Sequence, residues 1–349
     1  MLNMTYRLSR RRFLKATATV GIASTIGISG CLGLNKQTVK ISHAGSLAYP
    51  FNNLESTYEE QNQNINIQRE AHGSVDAVRQ VTELGKKRDI VAVADYTLIP
   101  NMMVSEYADW FARFAKNEYT IAYTSESNYA DEINSENWYE ILDRDEVRFG
   151  FSNPNADPAG YRSQMVIKLA ENYYDNYNIY NNLIGQNTNF EMTSIDNEYI
   201  LEMPQTSDIE VNSDKIMFRS KETDLLFGLE DGQIDYLFIY GSVAAQHDHK
   251  QVDLPSKIDL SSVEYLDDYE QVGINIARRE TVYGKPIVYG ITIPNNAPNP
   301  EVAAKLLSFL LSDEGNQIMN DAGQPPIKPS VVNDASAVPQ EISDYVTEA

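Results

Sequence analysis

The sequence predicts an α/β protein built on a mostly parallel sheet, and three observations carry that prediction. Between residues 39 and 94, three extended segments alternate with two amphipathic ones. The third extended segment is apolar without a break, as a strand buried on both faces of a sheet requires. The chain has 349 residues and is 42% hydrophobic, enough to bury the core of one large or two medium domains.

The elements follow in order. Val39-Lys40-Ile41-Ser42-His43-Ala44 alternates like a strand and stops at Gly45-Ser46. Leu47, Phe51, Leu54 and Tyr58 then fall at helical spacing. Ile65–Glu70 reads as a second strand ending at Gly73-Ser74, and Val75, Val78, Val81 and Leu84 mark one face of the next helix. Asp89–Ala94 is the apolar third strand. Strand–helix–strand–helix–strand in this order makes βαβ units. A second block after residues 118–124 gives a strand at Val147–Ser152, a helix at Gly160–Tyr174, a helix at Glu222–Leu229 and a strand at Ile234–Tyr240. Residues 175–215 and 250–282, rich in Asn, Asp and Tyr, yield no assignment. Ile287–Ile293 is a strong strand, followed by a helix with Pro300 in its first turn and Ala303, Leu306, Leu307, Leu310 and Leu311 as apolar positions. The acidic tail, 333–349, reads as loose chain. No internal repeat or low-complexity tract is present.

Composition removes several classes of function. The 28 basic and 50 acidic residues leave a net charge of −22, which argues against a nucleic-acid partner, because phosphates need a basic face. An acid excess of this size also suits a haloarchaeal protein, whose carboxylate surface stays hydrated in high salt. A single cysteine excludes disulfide frameworks and cysteine-rich zinc sites. The enzyme motifs are missing: no G-x-S-x-G elbow, no H-E-x-x-H, no phosphate-binding loop and no G-x-G-x-x-G. A secreted hydrolase using Ser46 with His43 as base is the enzymatic alternative, but three residues apart along a strand and turn the two point in unrelated directions. His247-Asp248-His249 has the residue types to hold a metal, yet its flanks, Gln246 and Lys250, suggest a solvated loop.

The first 30 residues read as an address. Ser9-Arg10-Arg11-Arg12-Phe13-Leu14-Lys15 matches the twin-arginine export signature, and a small-residue apolar stretch from Ala16 to Ile28 follows. That stretch is short of the ~20 apolar residues a spanning helix needs. Ile28-Ser29-Gly30-Cys31 resembles a lipobox, so Cys31 is the expected lipidation site and residues 31–37 a tether. Losing the five basic residues of the signal takes the net charge from −22 to −27. Twin-arginine export carries folded proteins, which places the mature chain on the extracellular face of the cell membrane.

Two junctions stand out for function. Gly45-Ser46 and Gly73-Ser74 each set a serine at the start of a helix directly after a strand. Alone, each serine reads as a plain helix cap. Two such junctions on consecutive units of one parallel sheet open at the same carboxyl edge, where α/β proteins bind ligands. Unpaired N–H donors at helix N-termini would then form a neutral pocket for an anion.

These residues also carry a family resemblance. His43-Ala44-Gly45-Ser46-Leu47, Gly73-Ser74-Val75, Thr82–Lys87, Val91-Ala92-Val93-Ala94-Asp95-Tyr96, Gly150–Asn155, Asp157-Pro158, Gly160-Tyr161-Arg162, Asp235–Phe238 and Gly284–Pro294 resemble archaeal tungstate/molybdate-binding proteins of ABC transporters. The likeness runs from about residue 39 to 330. It implies a type II periplasmic-binding-protein fold, with two α/β lobes, a two-strand hinge and the ligand clamped in the cleft. Lobe one would be 38–122 plus 289–332, and lobe two 123–288.

By the same resemblance, Gly45 and Ser46 match a first oxyanion-binding turn and Ser74 a second. Asp157, in the loop with Asn155 and Ala156, and Glu222 match two carboxylates that reach the metal of the bound oxyanion, while Tyr240 matches a tyrosine on the ligand. Ala156 stands where relatives often carry an acid, and its backbone is expected to donate instead. Read without the resemblance, Asp157 is a cap for the following helix, Glu222 a solvated acid at a helix start, and Tyr240 a packing residue at a strand end. The implied protein is no enzyme and carries no cofactor. It is a monomer that binds tungstate or molybdate and serves an ABC permease and ATPase; sulfate or phosphate is the alternative cargo.

Overall fold

The computed structural model describes residues 36–175, 178–195, 198–276 and 280–349. The twin-arginine motif, the lipobox and Cys31 lie outside the described residues. Strands are numbered along the chain: β1 (Gln37–Ala44), β2 (Ile65–His72), β3 (Ile90–Val93), β4 (Ala112–Lys116), β5 (Tyr119–Tyr123), β6 (Phe149–Ser152), β7 (Glu191–Ile195) and β8 (Glu198–Glu202). Then come β9 (Ile216–Arg219), β10 (Tyr236–Tyr240), β11 (Lys250–Val252), β12 (Val272–Ile276), β13 (Glu280–Tyr283), β14 (Val288–Thr292), β15 (Pro326–Val332) and β16 (Val346–Glu348). They form three sheets, ordered β16-β15-β4-β14-β3-β1-β2, β11-β5-β10-β6-β9 and β13-β12-β8-β7.

The larger two sheets are sandwiched between helices, and side-chain alternation shows it. Along β3, Ile90 and Ala92 pack into one apolar cluster with the helices Ala48–Gln61 and Pro300–Leu311, while Val91 and Val93 face a second cluster with Ala77, Val78 and Val81. Along β10, Tyr236 and Phe238 face one side and Leu237 and Ile239 the other. A strand with period two and both faces covered must be apolar throughout, which is why these two runs are legible in the sequence.

Several expectations change. The large sheet is mixed: β1 is parallel to β2 and β3, but β14 is antiparallel to both β3 and β4. The chain returns from the four-stranded sheet through β14, so this strand enters against the direction of β3 without a helical crossover. On the helix Ser74–Thr82, Val78 and Val81 are buried with Ala77, whereas Val75 and Leu84 are exposed and Leu84 lies beyond the helix end. The tail after residue 332 is not loose: Ile342 is fully buried, and β16 pairs with β15 at the edge of the seven-stranded sheet. The unassigned Asn/Tyr-rich regions supply β7, β8, β12 and β13.

The chain passes from the seven- to the five-stranded sheet at Asn117–Glu118, and comes back from the four-stranded sheet between Tyr283 and Val288. The crossings are bonded to each other by Asn117 N–H donating to the Ile287 carbonyl at 2.8 Å. The change of sheet at 117–118 precedes the expected boundary at 122, because β5 pairs with β10 and β11. At a further contact, Gly323 (φ 71°) lies so close to Ser242 and Ala245 that a Cβ would come within 2.7 Å of each.

Candidate functional site

A cleft of about 260 Å³ opens between the seven- and five-stranded sheets, beside the crossings. Ser46, Ser74 and Asp95 reach it from the carboxyl ends of β1, β2 and β3. Asn117 and Tyr289 belong to the crossing region, and Tyr161, Arg162 and Tyr240 come from the other side. The carboxyl-edge location expected from the sequence holds.

Neither serine caps a helix. Ser46 sits inside a short 3-10 turn, Gly45–Leu47. Ser74 is the first residue of its helix, with Gly73 in the capping position. Each hydroxyl instead accepts from another part of the protein. Ser74 Oγ accepts from Ala94 N–H at 3.1 Å. Ser46 Oγ accepts from the Tyr289 hydroxyl at 3.2 Å, and that hydroxyl accepts from the amides of Asn117 and Gln324, each at 3.3 Å. Gln324 also donates to the Ser46 carbonyl at 2.7 Å. A hydroxyl carries one donor and accepts separately. With their acceptor sides taken, both serines keep an O–H to direct into the cleft.

Tyr240 repeats the pattern. Its hydroxyl accepts a short hydrogen bond from Arg162 Nη1, again leaving O–H free to donate. Burial raises the Tyr240 pKa, so the phenol stays protonated. Burial works against the Arg162 charge, and the bond it donates to the Tyr240 hydroxyl helps to hold it. Charged groups line the pocket as well as the serine junctions: Arg162 brings a positive charge and Asp95 a carboxyl group.

Behind Arg162 and Tyr240 lie the two acids. Asp157 Oδ1 accepts from Ala159 N–H at 3.1 Å, capping the helix Pro158–Tyr173, and Oδ2 accepts from Glu222 N–H at 2.7 Å. One carboxylate thus caps its own helix and holds the start of the next, Thr223–Glu230. Glu222 is not solvated: its Oε2 is buried and has no hydrogen-bond partner among the described residues. Burial, then the Asp157 charge, push the Glu222 pKa up to about 8, with Arg162 opposing. An unpartnered buried carboxyl oxygen costs about 1–3 kcal/mol.

The helix carrying Arg162 starts where only glycine fits. A Cβ on Gly160 would lie 2.4 Å from the Ser152 carbonyl oxygen and 2.6 Å from the Asn153 carbonyl carbon. That close approach seats Asp157, Pro158 and Arg162 against the end of β6.

The profile of the family described as bacterial extracellular solute-binding protein matches residues 39–324. The chain belongs to this family. Among curated relatives of this solute-binding protein, the molybdate/tungstate-binding protein WtpA of Pyrococcus abyssi is 46% identical over 334 residues, covering 91% of this chain and 94% of the relative. The WtpA of Thermococcus kodakarensis is 44% identical over 341 residues, covering 95% and 94%. A solved substrate-binding domain from Clostridium difficile superposes with a TM-score of 0.57 at 18% identity, covering 83% of this chain and 99% of that one. The architecture is the type II periplasmic-binding-protein fold.

Of the residues singled out in the sequence, Ser46, Ser74 and Tyr240 line the cleft of the solute-binding protein, and Asp157 and Glu222 adjoin each other next to it. Gly45 is exposed at the turn, and its nearest neighbour to a built Cβ is 3.9 Å away. Asn155 binds across to the Pro204 carbonyl through Nδ2 at 2.8 Å. Ala156 N–H donates to the Asn153 carbonyl at 3.0 Å, so the free donor expected there is engaged within its own loop. Arg162, Asn117, Tyr289 and Gln324 were missed. Of these only Arg162 carried a signal, as the one cation of the Gly160-Tyr161-Arg162 motif. His43 turns its Nδ1 to the Ala44 carbonyl at 2.8 Å while Ser46 takes Tyr289 as partner, so the two form no nucleophile–base pair.

Proposed function

We propose that this solute-binding protein takes up tungstate or molybdate outside the cell and passes it to the permease and ATPase of an ABC importer. The observation that carries the reading is the pair Asp157–Glu222, with the buried, unpartnered Glu222 Oε2, set beside three hydroxyls and a guanidinium. Asp157, and Glu222 once it has given up its proton, repel an ordinary oxyanion beside the pocket. Tungsten(VI) and molybdenum(VI) expand from four to six oxygen neighbours, so Asp157 and Glu222 bond the metal as hard oxygen donors. Ser46, Ser74, Tyr240 and Arg162 hold the oxo atoms. Sulfur and phosphorus in their oxyanions do not accept this bonding, and the same acids then turn sulfate and phosphate away. The 44–46% identity to proteins named for molybdate and tungstate supports the same cargo.

The rest of the reading comes from the sequence. The two lobes close on the ligand about the crossings, the first of them at 117–118 rather than at 122. The Ser9–Lys15 motif and Cys31 support twin-arginine export and a lipid anchor, the −27 surface supports a high-salt setting, and the protein acts as a monomer. Calorimetry of wild type, Asp157→Ala and Glu222→Gln against tungstate, molybdate, sulfate and phosphate at matched high salt tests it. Losing a metal ligand weakens tungstate and molybdate by at least roughly 10–100-fold, with sulfate affinity unchanged or raised. Equal tungstate affinity in all three proteins, or four oxygen neighbours by X-ray absorption, returns both acids to structural roles.

A further inference from the structure

Away from the cleft, the ends of two helices bring together three side chains with no part in oxyanion binding. Glu230 closes the helix Thr223–Glu230, and His247 follows the helix Gly241–Gln246. Asp248 takes a left-handed conformation (φ 56°), which turns the chain so that His249 returns to the same side. The two imidazoles lie 6.1 Å apart between centroids and within 11° of parallel. His247 Nδ1 and His249 Nε2 approach one oxygen, Glu230 Oε1, at 3.7 and 3.8 Å. One ligand atom from each residue falls within 4.8 Å of the other two.

His249 decides what this cluster is for. Its side chain is only 7% exposed, and its Nε2, facing Glu230, has no hydrogen-bond partner among the described residues. The solvated loop expected from the Gln246 and Lys250 flanks therefore does not describe His249. A buried ring nitrogen with an open lone pair, a second imidazole and a carboxylate, all converging, make a nitrogen/oxygen ligand set. The carbonyl ends of both helices add negative potential there.

We propose that Glu230, His247 and His249 form a site for one divalent transition-metal cation such as zinc, with water in the remaining position. Tetrahedral zinc, at about 2.0–2.1 Å from each donor, sets donors about 3.3 Å apart. The present 3.7 and 3.8 Å close to that by a shift of a few tenths of an ångström. Glu230 and His247, 41% and 43% exposed, are free to make it while His249 stays fixed. The site is independent of the oxyanion reading, because none of its three residues lines the cleft.

The test uses the full chain, stripped of metal and titrated with zinc chloride against a chromophoric chelator, in high salt with excess magnesium to occupy surface carboxylates. One zinc binds per chain. His247→Ala and His249→Gln each weaken it at least tenfold, and the double variant abolishes it. Zinc-edge absorption shows imidazole scattering, and cobalt in place of zinc gives the intense visible band of four-coordination. Glu230→Gln, at an exposed position, weakens zinc without risk to the fold, and circular dichroism checks the histidine variants. Wild type that binds zinc no better than the double variant, or a bound zinc with oxygen neighbours alone, overturns the proposal.

Discussion

Ser46, Ser74 and Tyr240 share one wiring: each oxygen accepts from a donor inside the protein and keeps its hydrogen for the cleft. The donors behind them are an amide-fed tyrosine, a backbone N–H and a guanidinium. Rigid donors of this kind need no reorganisation when an oxyanion arrives. Glu222 supplies the counterpart that depends on pH. With its pKa pushed up to about 8, it would enter the proposed bound state as carboxylate only by giving up a proton. Calorimetry at pH 7 in buffers of different ionisation enthalpy is expected to show close to one proton released per tungstate, and none for Glu222→Gln. Stability follows the same sign. The folded chain holds this proton more tightly than the unfolded chain does, so the contribution is full below the ordinary carboxylate pKa and is lost as pH rises through about 8. The loss is on the order of 4 kcal/mol. Denaturant titrations between pH 5 and 9 are expected to show a decline that Glu222→Gln flattens.

At the scale of elements, the junction of β6 with the Pro158–Tyr173 helix brings Pro158, Tyr161 and Arg162 to the cleft and Asp157 beside it. Gly160→Ala drives a methyl group into the backbone of residues 152–154, which have no flexible side-chain end to move aside. The expected cost is about 1–3 kcal/mol, with a fall in tungstate affinity as Asp157 and Arg162 move, both read from denaturant midpoints and calorimetry. Strands covered on both faces, β3 and β10, were legible because burial forces an unbroken apolar run. β7 was not: Glu191, Met192, Thr193 and Ser194 are exposed, so no alternation marks them. The site divided in the same way. Junction serines are visible because a strand–Gly–Ser–helix pattern is local. The Asn117–Tyr289–Gln324 relay joins residues more than 170 positions apart at its widest, and no sequence window contains it. Asp157 looked like a helix cap and is one; its second oxygen, on Glu222 N–H, could only be found in three dimensions.

For the whole molecule, the two crossings predict motion. Hinge closure on tungstate is expected to lower the radius of gyration in small-angle scattering, and identical profiles at saturation would mean a rigid pocket. Anchoring is tested apart from binding: Cys31→Ser is expected to release the protein from membranes with its tungstate affinity intact, as read by fractionation and calorimetry. The seven-stranded sheet has one more consequence, for the timing of folding. It joins β1–β4 to β14, β15 and β16, which come more than 170 residues later in the chain. The sheet is therefore complete only once β14, β15 and β16 have been made, long after β1–β4. A secretion route that threads the chain outward as it is translated would pull β1 away before its partners exist. A route that waits for the finished fold would not, and that is the route proposed above from the Ser9–Lys15 motif.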